Sequence, residues 1–140
     1  MTKLLFLIPI VLLGGLVVLS VISQRGTAPG VVDGRLLPGS AKPNAVSSEA
    51  GTPGAQVVEP FTATRDQLRA AIAATGGTIV TDTDDYIAAT YSTGLMRYVD
   101  DVEFRRDDTV WQVRSASHVG HSDMGTNRKR VERIRAAVVS

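Results

Sequence analysis

Leu4 to Ile22 reads LLFLIPIVLLGGLVVLSVI, nineteen residues without a charge. At ~1.5 Å rise per residue, such a run forms a helix of roughly 28 Å, close to the ~30 Å hydrocarbon core of a bilayer. A helix satisfies its own backbone polar groups, which lipid cannot do for it. The run therefore predicts a transmembrane anchor within residues 1–25, kinked where Pro9 removes a backbone donor. The adjacent Gly14-Gly15 permits close approach of another helix without forming a GxxxG motif. The competing reading is a cleaved signal peptide, but this run is longer than the usual apolar region and has no small-residue cleavage site at its end. Lys3 precedes the helix and Arg25 follows it, so flanking charge orients it weakly. The short tail before it favours a cytoplasmic N-terminus, which puts the rest of the chain outside the cytoplasm.

Past the helix, residues 26–60 hold six Gly and five Pro in 35 positions. That density marks irregular chain, and residues 26–56 are read as a Gly/Pro-rich linker or extended arm. Residues 57–140 read as a small α+β domain. Thr64 and Gln67 match a capping box, with Leu68, Ala71 and Ile72 on one helix face and Gly76-Gly77 as the stop. Strands are expected over 77–83, 86–93, 99–106 and 109–118, with Asp84-Asp85 and Asp107-Asp108 in turns. A last helix over 126–138 places Asn127, Val131, Ile134 and Val138 on one face and spreads its basic residues over the rest. The expected fold is α+β: an N-terminal transmembrane helix, then a small antiparallel sheet of about four strands with two helices packed on one face.

The whole chain of 140 residues carries a formal net charge of +1, which argues against a nucleic-acid partner. With no cysteine, disulfide, thiol and Cys-ligated metal chemistry are excluded. Eight acids fall within residues 80–110, and their spacing matches no EF-hand loop. Asp100-Asp101 interrupts a strand. Alternation turns one of the two inward, where it needs a partner, and Arg114 on the next strand is the natural one. His118, His121 and Asp123 have the residue types of a metal site but no spacing that fixes its geometry. No metal or cofactor is expected. Ser115 and Ser117 lack the surroundings of a catalytic nucleophile. Asn127 should point inward and bond the strand or the loop before it, which would fix the last helix on the sheet. The basic helix, net +4 over residues 124–140, pairs internally or faces solvent; anionic lipid is the other candidate partner.

Tyr98-Val-Asp-Asp-Val-Glu-Phe104, followed by Val113-Arg-Ser-Ala-Ser-His-Val-Gly-His-Ser-Asp-Met-Gly-Thr-Asn-Arg-Lys-Arg-Val-Glu132, resembles the bacterial family called domain of unknown function 1499. Upstream, Gly30 to Gly39 and Pro43 to Ser48 are similar to it as well. The resemblance makes residues 30–50 an ordered arm rather than a plain tether. Where the family usually has two cysteines, this chain has Gly39 and Ala45, so a role for those thiols is absent here. His118 stands at a usual Arg, and His121 where Tyr is common. The matching polar positions are Asp100, Asp101, Glu103, Arg114, Ser115, Ser117, Ser122, Asp123, Asn127, Arg128 and Arg130, and these are the candidates for a ligand or interaction surface. The family carries no activity to transfer.

The resulting expectation is a single-pass protein of a bacterial inner membrane with its C-terminal domain in the periplasm. It would be a non-enzymatic interaction module, an accessory subunit of a larger membrane complex. Its partners would be another membrane protein or complex and the bilayer, through Leu4 to Ile22. The alternative is a small-ligand or enzymatic site in which Asp100, Asp101, Arg114, Ser117, Asp123 and Asn127 converge.

Overall fold

The computed structural model describes residues 2–138, with side chains from Ile8 onward. The long first helix, α1, runs Thr2–Gln24 with Pro9 inside it. The expected span Leu4 to Ile22 falls partly on residues 4–7, whose side chains lie outside those described. Among the described residues, no helix is long and apolar enough to cross a membrane.

A five-stranded antiparallel sheet follows, made of β1 (Ala45–Ser47), β2 (Thr78–Asp82), β3 (Tyr86–Thr93), β4 (Tyr98–Asp107) and β5 (Val110–Ser117) in the order β1-β5-β4-β3-β2. The expected four-strand meander is thus β2 to β5, and the fifth strand comes from the Gly/Pro-rich segment. Ala45, Val46 and Ser47 pair with Ala116, Ser115 and Arg114. Three residues are too few to display alternation, and all three are buried, so their pattern does not betray a strand.

Helix α2 (Arg65–Ala74) starts at the expected capping box. The Thr64 hydroxyl accepts from the Gln67 amide, and the Gln67 side chain accepts from the Thr64 amide. Gly76 adopts φ 89°, a left-handed backbone that ends the helix. Helix α3 spans Thr126–Val138. Both helices lie on one sheet face. Leu68, Ile72, Val131 and Ile134 join Ile87, Val102, Phe104, Trp111 and Val113 in an aliphatic and aromatic core. Phe61 meets the Phe104 ring edge-on at 5.3 Å between centroids. Arg130 departs from the expected surface position: it is 1% exposed and faces the sheet with the apolar side of α3.

The opposite face is not bare. The arm before β1 crosses it, and the Gly30 amide donates to Glu103 and the Leu36 amide to Glu49. The last turn of α1 docks on the start of β4. The Ser23 hydroxyl accepts from the Val99 amide at 2.7 Å and donates to its carbonyl at 3.1 Å, and the Ser20 hydroxyl donates to the Met96 carbonyl.

Candidate functional site

Because strand side chains alternate, Asp100 and Asp101 go to opposite faces of the sheet. Both are buried, at 4% and 2% exposure, because both faces are covered. The candidate residues therefore form two polar layers, one on each side of the sheet.

On the helix side, Arg130 Nη2 donates to Asp100 Oδ2 at 2.5 Å. Its Nη1 donates to Asn127 Oδ1 at 2.7 Å and to Ser115 Oγ at 3.2 Å. The Ser115 hydroxyl donates to Asn127 Oδ1 at 2.6 Å. Asn127 Nδ2 reaches the Asn44 carbonyl, Ser117 Oγ and Asp123 Oδ2 at 2.7–3.0 Å. Asp123 also accepts from the amides of Gly125 and Asn127, which fixes the start of α3. The Arg130 guanidinium lies 5.1 Å from the centre of the Tyr91 ring. Asn127 thus has the inward, strand-bonding role expected of it. Arg114 is not the partner of Asp100, because it points to the other face.

On the arm side, Arg114 donates to Glu103 Oε2 at 3.3 Å, and Glu103 Oε1 accepts from the Gly30 amide and the Tyr86 hydroxyl, both at 2.8 Å. Burial pushes the Glu103 carboxyl above the ordinary range, against the bonds from Tyr86, Arg114 and Gly30 that favour its charge. Burial and the Glu103 charge likewise raise the Tyr86 phenol. Arg105 Nε donates to Glu49 at 2.9 Å. Asp101 Oδ2 lies 2.5 Å from His118 Nε2, while its Oδ1 is buried without a hydrogen-bond partner.

The expected convergence of Asp100, Asp101, Arg114, Ser117, Asp123 and Asn127 is therefore divided by the sheet: Asp101 and Arg114 lie on the arm side and the other four on the helix side. Ser122 is exposed and accepts from the Met124 amide, and Arg128 donates to the carbonyls of Ala55 and Val57 at 2.9 and 3.0 Å. Asn44, Glu49, Tyr86 and Arg105 take part without having been singled out. Asn44 and Glu49 sit in the segment that composition marks as irregular, which hid them. Among the described residues, no group of three or more His, Asp or Glu is placed to hold a metal ion.

A cavity touches the helix-side layer beside Asp100. It has a volume of about 300 Å³ and is lined by Asp100, Ser117, Ser122 and Asp123, with Tyr98 and Leu19 of α1 closing one side. Carboxylates and hydroxyls facing an otherwise apolar wall suit a small molecule that carries hydrogen-bond donors.

The sequence profile of a family described as "Protein of unknown function (DUF1499)" matches residues 35–138. No curated protein and no solved structure matches the chain.

Proposed function

The chain belongs to the DUF1499 family of proteins of unknown function, and from its sequence and geometry we propose that it is a membrane-anchored, extracytoplasmic interaction module, an accessory subunit of a larger membrane complex. One observation carries this reading. Between Ile8 and Ile22, eleven Ile, Leu and Val side chains are 42–67% exposed, while the last turn of the same helix is docked on β4. A helix that is apolar all round needs lipid or protein around it. The sequence extends the run back to Leu4, to a bilayer's thickness. The short tail with Lys3 favours a cytoplasmic N-terminus and a periplasmic domain in a bacterial inner membrane. The polar side chains of the domain bond one another, which suits a rigid module better than a catalyst.

Membrane fractionation tests the anchor. The full-length protein should stay with the membrane through an alkaline carbonate wash, and Leu12→Arg/Val17→Arg should release it into the wash. Release of the unaltered protein would overturn the anchor. A mild-detergent pull-down from native membranes then tests the partner: a stoichiometric membrane protein should co-purify. A solitary protein would overturn the accessory role and favour the second reading, a small-ligand site in the cavity beside Asp100 and Asp123.

A further inference from the structure

His118 ends the polar ladder of the arm-side face, and its side chain is 9% exposed. Its two ring nitrogens meet two different elements. Nε2 faces Asp101 Oδ2 of β4 at 2.5 Å, and Nδ1 faces the Ser23 carbonyl oxygen of α1 at 2.5 Å. A backbone carbonyl accepts only, and an ionised carboxylate accepts only. A neutral imidazole has one N–H and one lone pair, so it can bond only one of the two and must turn its lone pair toward the other. The imidazolium has two N–H groups and bonds both.

Charge counting on that face leads to the same protonation state. The buried carboxylates are Glu49, Asp101 and Glu103, at 6%, 2% and 0% exposure. Arg105 pairs with Glu49 at 2.9 Å and Arg114 with Glu103 at 3.3 Å. His118 is the third cation, and without its charge Asp101 is a buried carboxylate with no counter-charge in contact. The Ser23 carbonyl lies in the last turn of α1, where the negative end of the helix dipole also favours a cation. Around the ring, Asp101 and Asp100 of β4 are the carboxylates that raise its proton affinity, and the bond to Asp101 outweighs the opposing effect of burial. Gly26 closes the remaining side: a Cβ there would lie 2.4 Å from His118 Nδ1.

We propose that His118 is a protonation-dependent latch that fixes α1 on the sheet by bonding Asp101 and the Ser23 carbonyl at once. Protonated, it ties the C-terminal end of the helix to β4. On losing its proton it keeps one partner only; with the remaining N–H on the Asp101 carboxylate, the stronger acceptor, the joint is left to the Ser20 and Ser23 hydroxyls and the bond from the Tyr98 hydroxyl to the Leu16 carbonyl. The inference concerns the joint itself and stands whether or not α1 enters a bilayer.

The test uses the full chain in detergent micelles. Because the sequence has no cysteine, spin labels can be placed at two introduced ones, Val11→Cys on α1 and Lys129→Cys on the exposed side of α3. Electron–electron double resonance then reads the distance distribution between about pH 5 and about pH 9, the range that brackets imidazole titration. The distribution should be narrow at acid pH and broaden with a midpoint equal to the His118 pKa measured by NMR. His118→Arg, permanently charged, should stay narrow throughout, and His118→Gln should be broad throughout. His121→Asn should behave like the unaltered chain. A distribution that ignores pH, or that broadens equally in His118→Arg, would overturn the latch. Because the unaltered chain and His118→Arg decide the matter between them, a failure of His118→Gln to fold would not protect the proposal.

Discussion

Asn127 carries more of the helix-side layer than its size suggests. It is wholly buried, and its amide bonds two side chains through the oxygen and three acceptors through the nitrogen. Leucine has the same branching and the same number of side-chain heavy atoms but none of those bonds, so Asn127→Leu would leave the buried Ser115 hydroxyl without its acceptor and take one bond each from the Asn44 carbonyl and Arg130 Nη1. We expect a loss of about 1–3 kcal/mol, measured by chemical denaturation. An unchanged midpoint would mean that solvent reaches this layer. The role of Asn127 is legible in the sequence, because it falls on the apolar side of a helical repeat. Arg130 obeys the same geometry, three residues on, yet its charge reads as surface. What buries it is the Asp100 carboxylate on β4, a partner thirty positions away that no local pattern announces. The Asp100-Asp101 pair shows the same limit. Alternation separates the two residues onto opposite faces, but nothing local says that both faces are covered.

At the scale of elements, periodicity does most of the work. Helix α2, strand β3 and helix α3 are readable because each is long enough to show its repeat and is bounded by a cap or a turn. Strand β1 is not, for it has three residues between Pro43 and Gly51, and its order comes from pairing with β5 rather than from propensity. At the other edge, β2 is exposed along most of its length and carries a register shift between Ile79 and Thr81. Such a bulge spoils the flat edge on which another sheet could add. Helix α2 is anchored beside that edge by Arg65 and Arg69, both bonded to Asp82 at 2.8–2.9 Å. Its start depends on the reciprocal cap. Thr64→Ala removes the hydroxyl from one half of that cap and should lower stability by about 0.5–2 kcal/mol. Thr64→Ser, which keeps the hydroxyl, should recover most of the loss in the same denaturation measurement.

For the molecule as a whole, the sheet is a partition between two polar layers. The helix-side layer is tied by Arg130 and Asn127. On the arm side, His118 and Glu103 both hold a proton more tightly folded than free, His118 through its bond to Asp101 and Glu103 through burial. Unfolding therefore releases protons, and stability falls as pH rises through the raised His118 pKa. The melting temperature of the full chain should be higher at about pH 6 than at about pH 8, and His118→Gln should flatten that slope. A slope of opposite sign would show that His118 is neutral in the fold. The same arm-side layer also imposes an order of events on a chain that is made from its first residue onward. The Gly30–Glu103 bond joins residues 73 positions apart, and the Ser23–His118 contact 95. Neither partner strand exists when the arm is synthesised, and contacts of such separation form slowly. The arm is made before the strands it docks on and is thus among the last segments to settle, and the nascent protein waits with its arm undocked until the segment bearing His118 has been made.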